Sequence, residues 1–220
     1  MSLKGAAAMN LVLIGPPGSG KGTIAKIIAD NWNLEHVSAG DLLRAELRSD
    51  SELAGEIRDL MEQGQLVPDS VVTKLLANKI DELEQGRGML LDGYPRNLSQ
   101  ADLLQELMES RKMELDHALH VMVPNDVIVE RLSSRRVCTD CGATYSLTQY
   151  PPKEEGICDR CGGELALRDD DKPETVRERL NVFESETKPV LQYYEDKGLL
   201  VRYDNSGSLN HAAEKLKEIL

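Results

Sequence analysis

The stretch GPPGSGKGT, Gly15–Thr23, follows directly on the apolar run MNLVLI at Met9–Ile14. Four glycines and two prolines in nine residues exclude both a strand and an ordinary helix. Gly15, Gly18, Gly20 and Gly22 open backbone angles closed to other residues, so successive N–H groups can turn inward as an anion-binding nest. Ile24, Ile27 and Ile28 fall at i, i+3, i+4. A helix therefore follows, with its positive end aimed at the same spot. The backbone supplies most of the donors and Lys21 adds one full charge near the outer phosphates, which is why one lysine suffices. The spacing is G-x-x-x-x-G-K, the phosphate-binding P-loop, in the strand–loop–helix context that the motif requires. Gly22 stands where that motif usually has a Ser or Thr, and Thr23 follows, so direct hydroxyl ligation of Mg²⁺ stays open.

Working outward, five short apolar runs read as strands: Met9–Ile14, Leu34–Ser38, Gly88–Asp92, His117–Val123 and Leu199–Asp204. Most are nearly continuous in apolar residues, as parallel strands buried on both faces are. Helical stretches separate them, among them Leu98–Met113, a segment opened by Pro173, and His211–Leu220. Strand alternating with helix predicts an α/β fold, a doubly wound five-stranded parallel sheet whose ligands bind beyond the carboxyl ends of the strands. Two inserts interrupt it: a helical one at 38–75, and a lobe rich in Gly, Pro and Cys at 130–172. The core is then 9–37, 76–129 and 173–220. Residues 1–8, MSLKGAAA, lack an apolar segment and read as an added tail, with Met9 as the natural start.

The bulk properties narrow the function. The chain has 220 residues, 40% hydrophobic and 29% charged, with a net charge of −12. No apolar run approaches the roughly 18 residues of a membrane span. The overall field repels a nucleic-acid backbone, so neither nucleic acid nor membrane is the expected partner. A small anionic ligand requires its cationic contacts to be locally concentrated. The expected setting is cytoplasmic, and nothing demands more than a monomer.

Cys138, Cys141, Cys158 and Cys161 form C-x₂-C-x₁₆-C-x₂-C, a zinc spacing. Four thiolates fill a tetrahedral Zn²⁺ shell and leave no position for water, which makes the site structural rather than catalytic. The cysteine-bearing stretch 137–171 is too small for its own core, and a metal staple answers that need. Iron at the same S₄ site, or two disulfides, are the alternatives.

The candidate phosphate contacts are arginines. Arg96 ends DGYPR just past a predicted strand. Arg131 and Arg135 are one helical turn apart and so share a face. On the helix opened by Pro173, Arg179 lies nearer the apolar stripe than Arg177, at the cleft margin. Asp92 closes the strand MLLD, where a carboxylate can hold water-bound Mg²⁺. His36, His117, His120 and His211 show no suggestive spacing and read as structural or exposed.

GPPGSGKGT, SAGDLLR at 38–44, QLV at 65–67, LDGYPRNLSQ at 91–100 and RR at 135–136 occur in the order seen in adenylate kinases, and from Met9 to Leu220 the chain resembles that family. The cysteine lobe looks like the long lid of the bacterial enzymes. The resemblance implies a P-loop nucleoside monophosphate kinase fold and the reversible reaction of Mg·ATP with AMP to give two ADP. It implies ATP contacts from Gly18, Ser19, Gly20, Lys21, Gly22, Thr23, Arg131, Arg135, Thr144, Tyr145 and Gly207. For AMP it implies Ala39, Arg44, Gln65, Leu66, Val67, Gly93, Tyr94, Pro95, Arg96, Gln100, Arg168 and Arg179. Lys21, Arg96, Arg135, Arg168 and Arg179 would carry the catalytic charge. Ala39 replaces the Thr frequent in the S-T-G-D motif and is shared with uridylate–cytidylate kinases, whereas Gln100 resembles the adenine-reading Gln. AMP is the favoured acceptor. A UMP/CMP kinase and a non-catalytic nucleotide-binding switch are the rival readings.

Overall fold

The computed structural model describes residues 9–48, 52–84, 86–207 and 209–220; the tail expected at 1–8 lies outside them. Five strands, β1 (Leu11–Ile14), β2 (Glu35–Ser38), β3 (Met89–Asp92), β4 (His117–Met122) and, after three strands of the small lobe, β8 (Leu200–Asp204), form one sheet. Its order is β2-β3-β1-β4-β8 and every pairing is parallel. The lobe strands β5 (Arg135–Cys138), β6 (Thr144–Ser146) and β7 (Leu165–Ala166) make a separate antiparallel sheet in the order β6-β5-β7. This is the doubly wound α/β core with an inserted lobe that the sequence predicts.

Alternation along the central strand builds both layers of the core. Leu11 and Leu13 face Ile24 and Ile28 of α1 (Lys21–Trp32) and Leu216 of α9 (Ala212–Ile219). Val12 and Ile14 face the other way, toward Leu76 and Ile80 of α4 (Asp69–Asp81), Leu104 and Met108 of α5 (Leu98–Ser110), and Val190 and Tyr194 of α8 (Lys188–Asp196). A strand apolar on every residue is what a sheet covered on both sides needs. The outer strands are less apolar: in β2 only Val37 is buried, and in β8 only Tyr203.

The helical insert resolves into α2 (Ala39–Glu46), α3 (Glu52–Glu62) and the first half of α4. The expected boundary at 75/76 falls inside α4, which runs unbroken from strand crossover to insert. The helix leading into the lobe, α6 (Asn125–Ser134), stops at Ser134, and Arg135 is already extended, with φ −71° and ψ 137°. Arg131 and Arg135 therefore do not share a helical face, and the one-turn spacing expected from the sequence is corrected. Tertiary bonds end the helix there: Leu147 N–H donates to the Ser134 carbonyl at 2.9 Å and β5 pairs with β6.

The chain leaves the lobe through α7 (Pro173–Val182), which joins α8 by one wider turn in which the Lys188 N–H donates to the Phe183 carbonyl, five residues back. One continuous rod thus runs from the lobe to the far side of the sheet. No helix among the described residues is long and apolar enough to cross a membrane.

At the amino ends of the strands, opposite the P-loop, Asn10 is 5% exposed. Its Nδ2 donates to the Glu114 carbonyl at 2.8 Å and its Oδ1 accepts from the Met89 N–H at 3.2 Å, tying three strands together. Asn10→Ala leaves the buried Met89 N–H without its side-chain partner and removes the tie to the Glu114 carbonyl. It is expected to lower stability by about 2 kcal/mol in urea unfolding.

Candidate active site

The P-loop closes over the carboxyl end of β1. Gly18 and Gly20 have φ of 79° and 86°, the left-handed region, whereas Gly15 and Gly22 do not. Only two of the four glycines are thus used for their dihedral freedom. Gly15 is required for space instead, because a Cβ there would sit 2.6 Å from the Val121 carbonyl oxygen. Lys21 Nζ folds back to donate to the carbonyls of Gly15 (2.7 Å) and Pro16 (2.9 Å). Burial, together with Arg96, Arg179 and Arg135, lowers its pKa to about 8 against the pull of Asp92.

The loop opens into a cavity of about 1010 Å³. That is at the top of the roughly 300–1,000 Å³ range of pockets for one small ligand. Nine Lys and Arg line it against four Asp, in a chain of net charge −12. The positive charge that the acidic composition demands is therefore concentrated here.

Lys21, Arg44, Arg96, Arg131, Arg135, Arg168 and Arg179 all reach this cavity, and Arg177 is exposed away from it. Arg135 donates through Nε to Asp171 Oδ2 at 2.6 Å and through a second nitrogen to Oδ1. Arg179 Nη1 reaches Asp171 Oδ1 at 3.1 Å and Asp170 Oδ2 at 3.0 Å. Arg168 holds both oxygens of Asp170, at 2.9 and 3.0 Å. Two adjacent carboxylates thus hold three guanidinium groups together. Burial opposes the charge on Asp170, but Arg179, Arg168, Arg135 and Arg44 outweigh it and hold its pKa at about 2. Burial and neighbouring arginines push Arg96 and Arg168 down to about 10.

Asp92 ends β3 on the cavity floor. Burial raises its pKa, but His36, Lys21 and Arg96 prevail and hold the carboxyl below its ordinary value. His36 Nε2 lies 3.6 Å from Asp92 Oδ2 and lines the same wall. His36, read from the sequence as structural or exposed, thus places its ring on the cavity wall beside Asp92.

Ala39, Arg44, Gln65, Leu66, Val67, Gly93 and Gln100 line a further part of the cavity wall. Arg44 Nη2 pairs with Asp41 Oδ1 at 2.5 Å, and Gln65 Nε2 donates to Glu178 Oε1 at 2.6 Å. Arg96 is fixed from three sides. Its Nε donates to the Gly93 carbonyl (2.9 Å), its N–H to Gln100 Oε1 (2.8 Å), and its carbonyl accepts from Thr187 Oγ1 (2.7 Å). Pro95 lines a smaller adjoining hollow of about 60 Å³ with Lys21, Arg96 and Arg179. From the lobe, Thr144, Tyr145 and Tyr150 line the main cavity, and Tyr150 Oη lies 3.3 Å from Thr23 Oγ1 on α1.

Three predicted contacts line neither this cavity nor the adjoining hollow, although Ser19 stays in the P-loop between Gly18 and Gly20, which line the cavity. The Ser19 side chain is fully buried, Tyr94 is buried with its hydroxyl 2.8 Å from Thr73 Oγ1, and Gly207 is exposed beyond β8. Asn205, which sequence reasoning missed, lines the cavity beside the P-loop. It is 3% exposed, donates through Nδ2 to the Ser19 carbonyl (2.7 Å), and accepts from Arg131 Nη2 on its own carbonyl (2.8 Å).

In the lobe, the sulfurs of Cys138, Cys141, Cys158 and Cys161 all lie within 4.8 Å of one another. Bonds of about 2.3 Å to one central ion put tetrahedral sulfurs about 3.8 Å apart. Cys138–Cys161 and Cys141–Cys158, at 3.4 and 3.6 Å, are near that spacing and far from the length of a disulfide. Four sulfurs converging on one point fit a single ion rather than two bridges.

A sequence model of the family described as adenylate kinase matches residues 13–199. The chain belongs to the adenylate kinase family. Over 212 residues, 96% of its length, it is 42% identical to an adenylate kinase of Methanothrix thermoacetophila and 43% identical to one of Methanosarcina mazei, covering 98% of each. It is 41% identical to one of Clostridium tetani, again over 98% of that protein. The five-stranded parallel sheet with its P-loop is the adenylate kinase fold, and the cysteine lobe is in keeping with the long-lid type.

In this member of the adenylate kinase family, the sequence signal for the carboxylate clamp is the run Asp169–Asp171 between Arg168 and Arg179. An acidic triplet beside predicted phosphate contacts reads as unhelpful until its geometry is seen. Asp171 has no exposed side-chain surface, and its two arginine partners are no more than 20% exposed. Asp171→Asn leaves them undercompensated and is expected to cost roughly 3 kcal/mol of stability, read by denaturant unfolding without nucleotide.

Proposed function

We propose that the chain catalyses reversible, Mg²⁺-dependent transfer of the γ-phosphoryl group of ATP to AMP, giving two ADP. One observation carries the reading: a single cavity joins the P-loop to a second wall of separate anion-binding arginines. A nucleotide switch needs no clamp for a second phosphate. ATP phosphates lie on Gly18–Thr23, with Arg131, Arg135, Thr144 and Tyr145 on the donor side. AMP lies against Ala39, Arg44, Gln65–Val67, Gly93 and Gln100.

The transferring phosphoryl group carries its charge on equatorial oxygens, so catalysis is largely positioning and electrostatics. Lys21, Arg96, Arg135, Arg168 and Arg179 supply the positive field. The acceptor phosphate is already ionised, and no general base is required. Asp92, kept charged by its neighbours, would hold Mg²⁺ through water, and the ion would supply positive charge that offsets the phosphates. The lobe covers the cavity and keeps water, a competing acceptor, from the reacting group. The four cysteines would hold structural Zn²⁺, their open thiols in keeping with a reducing, cytoplasmic setting. The enzyme is proposed to work as a monomer.

The decisive experiment mixes ATP, Mg²⁺ and each candidate acceptor and measures ADP. AMP is expected to be phosphorylated far faster than UMP; no ADP from ATP and AMP would favour a non-catalytic module. Lys21→Met is expected to lower kcat by about 10²–10³-fold or more with the circular dichroism melt unchanged, and a folded variant with normal turnover removes Lys21 from the mechanism.

The lowered pKa of Lys21 gives a second expectation. Near pH 8 the free protein holds this group about half protonated, and bound phosphates pull it fully to the charged form. ATP binding at pH 8 should take up about half a proton, measured by calorimetry in buffers of different ionisation enthalpy. Affinity for ATP should fall as pH rises further, since the neutral amine attracts no phosphate. Lys21→Arg, charged throughout, should show neither effect.

A further inference from the structure

Gln100 is 2% exposed yet forms part of the cavity wall next to Ala39. Both ends of its carboxamide are engaged by the protein. Oε1 accepts from the Arg96 N–H at 2.8 Å, and Nε2 donates to Asp69 Oδ1 at 2.7 Å. A backbone amide can only donate and a carboxylate can only accept, so these two partners fix which end of the amide is which. Asp69 opens α4 and is itself held by Asn97 Nδ2 at 3.1 Å. Asn97 Oδ1 in turn accepts from the Gln100 N–H at 2.7 Å and caps α5. Reversing the Gln100 amide would set NH₂ against N–H and carbonyl against carboxylate. A carboxamide has two N–H groups and two lone pairs; one of each remains for a ligand.

We infer that Asp69 is a specificity-determining positioning residue. It locks the orientation of Gln100, so the acceptor pocket takes bases with an exocyclic amine beside a ring acceptor nitrogen and rejects bases with a carbonyl in that place. The inference rests on the reading of Gln100 as the residue that meets the acceptor base. A 6-aminopurine offers one N–H and one ring nitrogen, the complement of the free lone pair and N–H on Gln100. A 6-oxopurine turns an oxygen toward Oε1, lone pair against lone pair. A glutamine free to rotate would answer by flipping; Asp69 and the Arg96 N–H prevent it. Ala39 carries only a methyl group, so no hydroxyl at that position shares the reading. The same logic ranks a 4-aminopyrimidine above a 4-oxopyrimidine.

AMP and IMP are nearly the same size and differ only at position 6 and the adjacent ring nitrogen, so the ratio of their kcat/KM values at saturating ATP isolates the effect. Asp69→Ala should lower the AMP-to-IMP ratio by about tenfold or more, with KM for ATP unchanged. Asp69→Asn, whose Oδ1 can still accept from Nε2, should keep the ratio within about threefold. A role confined to starting α4 would change both substrates in proportion, and an unchanged ratio in Asp69→Ala overturns the inference. Gln100→Leu separates the two levels. If it also leaves the ratio unchanged, Gln100 does not read the base and the underlying assignment falls. If it collapses the ratio and Asp69→Ala does not, only the orientation lock is wrong.

Discussion

Cations that repel one another must be held in one dry place, and this constraint organises the molecule. Burial, and then the repulsion of neighbouring arginines, lowers the proton affinity of Lys21, Arg96, Arg168 and Arg179. No element of the fold could gather them alone. Lys21 comes from the first turn of α1, Arg96 from the loop after β3, Arg135 and Arg168 from the two ends of the lobe, and Arg179 from α7. The sheet fixes the first two, because β1 and β3 are adjacent and end together. The rod from α7 to α8 links the others to the sheet: Arg179 sits near one end, and Thr187 bonds the Arg96 carbonyl further along.

The P-loop was legible because its geometry is local. Glycine spacing, the preceding apolar run and the following helix all lie within about twenty residues, and each is a backbone property. The cysteine pairs were legible for a similar reason, since metal-ligand spacing is a short-range signal. The strands could be placed because a sheet covered on both faces writes continuous apolar runs into the chain.

The rest depends on contacts that no short window contains. The end of α6 at Ser134 has no Gly or Pro to announce it, and the lobe's own strand pairing stops the helix. His36 gives no spacing signal because its partner, Asp92, lies on the neighbouring strand; Ser38 and Asp92 are paired in register, and His36 is two residues earlier. Asn205 meets the P-loop across the whole length of the chain. The individual arginines came from family resemblance, and the fold explains their convergence without local sequence rules.

The pairing of Asp170 and Asp171 with Arg135, Arg168 and Arg179 also bears on how the protein meets ordinary electrolyte. A bare group of guanidinium ions would collect dissolved sulfate or inorganic phosphate and spend much of its time blocked. Here the opposite charge is already tethered next door, at an effective concentration that a simple oxyanion cannot match. Only a molecule that presents several anionic oxygens at once, and is gripped elsewhere as well, competes on favourable terms. Resistance to adventitious salts is thus written into the same few residues that prepare the cavity for polyphosphate.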